Sequence, residues 1–176
     1  QDPECAIAHV ACFKSGIVSS PTSVLFGPDA ITYRIHDCGV KVVVTDSANY
    51  PKIAEIRDRC PTLEHVFVVD GDPEGASNFW SAIEGATETF DNVDTAADDI
   101  AWISYTSGTT GMPKGSVQPH RMLLGHMPSL EFIYDFFPQD KDTLWSPADW
   151  AWMAGLCDIL LPGWFHGCPV VATAAK

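Results

Sequence analysis

V-K-V-V-V-T, Val40 to Thr45, is a near-continuous apolar run that stops at Asp46, the pattern expected of a strand buried within a parallel sheet. Downstream, Ser47 to Cys60 can start at a serine cap, sets Ile53 and Ile56 on one face and meets Pro61 just past its end, which predicts a helix. H-V-F-V-V-D, His65 to Asp70, predicts a second buried strand, and Asn78 to Ala86 a further short helix. Upstream, Gly27-Pro28-Asp29 introduces a short amphipathic helix over Ala30 to Ile35 that Gly39 closes, and Ala6 to Lys14 is helical up to Gly16. Apolar strands separated by helices predict an α/β fold, a mostly parallel sheet with helices on both faces.

The second half is less regular. Thr87 to Asp99 is acidic and poor in apolar residues, so it reads as a solvated connection. Ile100 to Ile103 is a short apolar strand. Pro119 to about Phe137 is helical in pattern, with Gly125 and Pro128 set to kink it. Thr143 to Pro147 and Cys168 to Thr173 are strand-like, and an aromatic cluster (Trp145, Trp150, Trp152, Trp164, Phe165) lies between them.

Composition narrows the function classes. With 46% hydrophobic and 19% charged residues in 176, the chain is expected to be globular and cytoplasmic, large enough for one full core. No apolar stretch reaches the roughly 18–20 residues of a transmembrane helix, and the acidic start, Gln1-Asp2-Pro3-Glu4, is unlike a signal peptide. The absence of an initiating Met suggests a start inside a longer protein, or one left by processing. A net charge of −13 argues against nucleic acid or an anionic membrane as partner. Six cysteines without a C-x-x-C pair, and His120 and His126 on opposite faces of one helix, predict reduced thiols and no metal site.

One segment carries a chemistry. Y-T-S-G-T-T-G-M-P-K-G, Tyr105 to Gly115, packs the hydroxyls of Thr106, Ser107, Thr109 and Thr110, the glycines Gly108, Gly111 and Gly115, and Lys114 into a loop leaving the end of a strand. Closely spaced N–H groups, hydroxyl donors and one cation suit a polyphosphate. Lys114 and Arg121 are the only Lys or Arg residues between Arg59 and Lys141, so Lys114 stands out in an acidic segment. The loop is not a Walker A motif. Pro113 precedes the lysine and removes an N–H, and Gly115 follows it where a hydroxyl is needed.

The whole signature of Tyr105–Gly115 resembles the phosphate loop of the adenylate-forming superfamily, which includes acyl-CoA synthetases, luciferases and peptide-synthetase adenylation domains. H-V-A-C-F-K-S-G (His9–Gly16), L-F-G-P-D-A (Leu25–Ala30), P-K-G-S-V-Q-P-H-R (Pro113–Arg121) and P-A-D-W-A-W-M-A-G-L (Pro147–Leu156) resemble the acyl-CoA synthetase branch. The similarity runs over essentially all of 1–176, read as a partial adenylation domain with a motif-free subregion at 1–98 and a loop-bearing one at 99–176.

The resemblance implies activation of a carboxylic acid by ATP, with Mg2+ bridging phosphate oxygens, and transfer of the acyl group to coenzyme A. It implies hydroxyl donors at Thr106, Ser107, Thr109 and Thr110, close backbone approach at Gly108 and Gly111, charge neutralisation by Lys114, and a substrate pocket shaped by Trp150 and Trp152. Arg121 is left out of the site because it can as easily pair with a nearby acid. The acidic metal ligand, the ribose-binding segment and the C-terminal catalytic lysine of such ligases are not found here, and Lys176 has no matching context. The chain is therefore expected to be a fragment, inactive alone and prone to self-association. The competing readings are a non-catalytic nucleotide-binding module and an adenylating enzyme that does not use coenzyme A.

Overall fold

The computed structural model describes residues 1–106 and 111–173. In chain order these form α1 (Pro3–Lys14), α2 (Pro28–Cys38), β1 (Val42–Thr45), α3 (Tyr50–Ile56), a 3-10 turn (Arg57–Arg59), β2 (His65–Val68), β3 (Ser77–Asn78) and α4 (Phe79–Ile83). They continue with β4 (Ile100–Thr106), β5 (Lys114–Pro119), α5 (Arg121–Ile133), α6 (Met153–Gly155), a π-helical turn (Leu156–Leu160) and α7 (Leu161–His166). The chain divides into two compact units, residues 24–90 and residues 1–23 with 91–176.

The unit formed by 24–90 is the α/β rhythm expected from the apolar runs. β1, β2 and β3 form a parallel sheet in that order, Val42 opposite His65 and Phe67 opposite Ser77. Pro28 occupies the first turn of α2, where its missing N–H costs nothing. Gly39 ends the helix at φ +62, and the N–H groups of Gly39 and Val40 return to the carbonyls of His36 and Ile35. Only glycine takes that left-handed turn without strain. Ile31, Ile35, Ile53, Ile56, Cys60, Leu63 and Val66 form the core. β1 is less buried than its sequence predicts, with Val42 48% exposed, because it is an edge of a three-stranded sheet.

The second unit departs from the parallel pattern. β4 and β5 pair antiparallel, and Ser19 forms a single parallel bridge to Trp102 of β4, where the Ser19 N–H reaches the Ala101 carbonyl at 3.0 Å and the Ile103 N–H reaches the Ser19 carbonyl at 2.9 Å. The compact units thus run differently from a division at 98/99: residues 1–23 group with the later half, and Ser19 is hydrogen-bonded to β4. Behind β4, Ala6, Ala101, Trp102, Trp150, Leu156, Cys157, Leu160 and Leu161 make the core.

α5 stops at Ile133, short of the expected Phe137, because Asp135 and Phe136 take positive φ. The strands expected at 143–147 and 168–173 reduce to a single parallel bridge, Leu144 with Val170. The helical turns from Met153 to His166 were not legible in the aromatic cluster. Burial pushes the Cys5 and Cys157 thiols up to about 11 and about 12. Among the described residues, no helix is long and apolar enough to cross a membrane.

Candidate phosphate loop and aromatic turn

The β4–β5 hairpin is the stem of the loop singled out by sequence. Its register sets Tyr105 opposite Gly115 and Thr106 opposite Lys114. Two loop residues eight apart in sequence thus share one mouth, with the Thr106 hydroxyl 3.5 Å from the Lys114 carbonyl. Both side chains are exposed. Gly111 has φ +141, a conformation that favours glycine, and a Cβ there would meet open space. Ser107, Gly108, Thr109 and Thr110 lie outside the described residues.

Gly115 has a structural duty of its own. A Cβ at this position would come 2.9 Å from Ile103 Cγ2 and about 3.5 Å from the Tyr105 ring. The buried Tyr105 side chain therefore covers the strand opposite, and the hairpin closes against a residue with no side chain.

The stem is fixed from behind. His9, 5% exposed, is hydrogen-bonded through Nδ1 to the Ser19 hydroxyl at 3.1 Å. Burial lowers its pKa to about 4, so the imidazole is neutral at physiological pH. Ahead of α5, the N–H groups of His120 and Arg121 bond to the carbonyls of Asp99 and Ala97, which supplies partners to the open helix start. Arg121 forms an exposed ion pair with Asp98, the kind of nearby acid that the sequence allowed for. A cavity of about 80 Å³ lined by Phe13, Ala101, Trp102, His120, Leu123 and Leu161 lies behind the sheet. It is well below the several hundred Å³ of a typical ligand pocket.

The two tryptophans differ sharply. Trp150 is 4% exposed and belongs to the hydrophobic core, whereas Trp152, two residues on, is 42% exposed. The sequence reading missed Asp149, whose carboxylate accepts from the Ser23 hydroxyl at 2.8 Å and from the Ala151 N–H at 3.0 Å. An aspartate two residues ahead of an acceptable N–H is a local turn signal, but its distant partner Ser23 could not be read from spacing. His9 and Ser19 were missed for the same reason.

The fold is α/β and corresponds to part of the large N-terminal domain of adenylate-forming enzymes. The anthranilate CoA ligase AuaEII, solved in complex with anthranoyl-AMP, matches with TM-score 0.91 and 26% identity, covering 99% of this chain and 34% of that one. ATP-bound MatB from Rhodopseudomonas palustris matches with TM-score 0.81 and 28% identity, covering 98% of this chain and 33% of that one. Residues 1–175 match the AMP-binding enzyme family, and the chain belongs to it. Among curated relatives, the acetyl-coenzyme A synthetase of Bacillus subtilis (strain 168) is 27% identical over 184 residues. The match takes in 100% of this chain but 31% of that protein, so the chain spans about a third of the relative's length.

Proposed function

We propose that this chain is the phosphate-gripping part of an ATP-dependent acid–thiol ligase. The observation that carries the reading is the hairpin stem, which brings Thr106 and Lys114 together at the mouth of a glycine- and hydroxyl-rich loop. In this reading a carboxylate oxygen attacks the α-phosphorus of ATP. The bond to the bridging oxygen breaks, and pyrophosphate leaves. The thiolate of coenzyme A then attacks the acyl carbon, and AMP departs with the electron pair of the acyl–phosphate bond.

Charge accumulates on pyrophosphate in the first step, and fixed donors stabilise it best where they need not reorganise. Lys114 supplies the cation, while Thr106, Ser107, Thr109 and Thr110 supply hydroxyl donors. Gly108 and Gly111 let the backbone approach the phosphates. Bound Mg2+ would neutralise phosphate charge, but the loop offers no carboxylate to hold it, so no residue of this chain is assigned as its ligand. Trp150 anchors the aromatic turn in the core, and Trp152 presents a ring toward the acyl pocket. The chain by itself binds phosphate groups without turning over.

Carboxylate-dependent exchange of pyrophosphate into ATP by the complete ligase tests the reading. Acetate, butyrate, octanoate and palmitate form the first panel. Exchange with at least one acid is expected, and no exchange with a broad set of acids would overturn it. Consumption of coenzyme A separates this ligase from an adenylating enzyme that hands its product elsewhere.

A further inference from the structure

The turn from Ala148 to Gly155 is held more firmly than a connection between elements requires. Asp149 uses three acceptors at once. Its Oδ2 takes the Ser23 hydroxyl at 2.8 Å, its Oδ1 takes the Ala151 N–H at 3.0 Å, and its carbonyl takes the Trp152 N–H at 3.0 Å. The Trp152 carbonyl in turn accepts from Gly155 at 3.0 Å and Leu156 at 2.9 Å, which starts α6. Ser23 is 2% exposed and lies 126 residues away in sequence, so the turn is tied to a buried point of the same unit.

Gly155 completes the arrangement. It is buried, and a Cβ there would sit 2.7 Å from the Ala148 carbonyl oxygen and nearer still to that of Asp149. Any side chain would push the helix start off the turn. The outcome is a segment whose alternate residues part company: Trp150 goes into the core and Trp152 stays at the surface.

We infer that Asp149, acting with Ser23 and Gly155, is a positioning residue that fixes the presentation of Trp152 and thereby the acid specificity of the ligase. The inference rests on the function proposed above. A side chain that bonds a distant residue through one atom and a local N–H through another holds a turn more firmly than a single hydrogen bond does. A mispositioned pocket wall changes discrimination among acids more than it changes the handling of ATP.

Amide exchange in this 176-residue chain tests the geometry. Asp149→Ala should raise exchange at Ala151 and Trp152 by about tenfold or more, with β4 amides unchanged. Asp149→Asn keeps an acceptor oxygen for the Ala151 N–H and should stay close to the parent. Should Asp149→Ala lose β4 protection as well, Ser23→Ala, which removes the Oδ2 partner and leaves the carboxylate in place, becomes the deciding variant and should raise exchange in the turn with β4 amides unchanged. Unchanged exchange at Ala151 and Trp152 in the deciding variant overturns the inference.

The specificity half is read in the complete ligase. Asp149→Ala should raise KM for the preferred acid and reorder the panel of acids while leaving KM for ATP within about twofold, and Asp149→Asn should restore the order. An equal loss of kcat for every acid, with the order kept, overturns the specificity role. If the unmutated ligase shows no acid-dependent exchange, the proposed function fails, whereas the amide-exchange result still decides whether Asp149 holds the turn.

Discussion

The two strand pairings of this chain follow opposite rules. β1 and β2 are parallel, with α3 in the connection between them, and the polar residues just past their ends satisfy one another. Asp70 accepts from the N–H and the hydroxyl of Ser47 at 2.6 and 2.8 Å, and Asp46 accepts from the Asn49 N–H at 2.7 Å. The Ser47 backbone N–H is the main reason the Asp70 carboxyl lies below its ordinary pKa. β4 and β5 are antiparallel and joined by the loop itself, so residues close in sequence face each other and leave Thr106 and Lys114 exposed. Both units pair polar groups internally, but only the hairpin sets a lysine and a threonine side by side at an exposed loop mouth.

The largest expected effect tests that contrast directly. In the complete ligase, Lys114→Ala should slow pyrophosphate exchange by about 10²–10³, the range for a lost donor to transition-state charge. Ser47→Ala, in the parallel unit, should leave the exchange rate within about twofold. A Lys114→Ala enzyme with an undiminished rate would remove that residue from the mechanism.

Acidification should act next most strongly, and through the hairpin unit. His9 has a folded pKa of about 4, below its ordinary value of 6.5, so the unfolded state takes up the proton first. Its contribution is fully present above the unfolded value and fades as pH falls from 6.5 towards 4. A shift of this size corresponds to roughly 3 kcal/mol at the acid end. Urea unfolding between pH 7 and pH 4 should show the loss, and His9→Gln should flatten the slope. Asp70 has the same sign at lower pH, but its exposure makes its effect small.

Two glycines separate steric from backbone requirements. Gly115→Ala forces a Cβ against Ile103 in the hairpin and should cost about 1–3 kcal/mol, the range for overpacking. Gly39→Ala meets open space but needs a left-handed residue at φ +62, for about 1 kcal/mol. Chemical denaturation of the two variants would reveal whether the hairpin is the less forgiving site. A smaller effect concerns association. Leu124, Phe132, Ile133 and Phe136 are exposed on or just beyond α5, and the chain should self-associate at micromolar concentration. Sedimentation should detect it, and a Phe132→Lys and Ile133→Lys double variant should reduce it.

Much of the parallel unit was legible because its signals are local. Pro28 and Gly39 mark the ends of a helix, and the apolar runs at Val40 to Thr45 and His65 to Asp70 mark strands, with no knowledge of partners required. The donor-rich composition of the loop was legible from residue types alone, and Ile100 to Ile103 marked one strand of its stem. The other strand was not legible. Lys114 to Pro119 has little β-forming character beyond Val117, and it becomes a strand because β4 is there to pair with. Trp150 and Trp152 look equivalent in the sequence, yet the turn at Asp149 sends one inward and leaves the other outside.

By itself, the sequence determined the ends of α2, the apolar strands β1, β2 and β4, and the donor-rich composition of the Tyr105–Gly115 loop, since caps, periodicity and residue type act over a few residues. Only the tertiary structure decided that β4 and β5 form an antiparallel stem, that Ser19 runs beside β4, and that Ser23 reaches Asp149. Those contacts join residues far apart in the chain, and they arise because buried N–H, hydroxyl and carboxylate groups must find partners wherever the fold brings them.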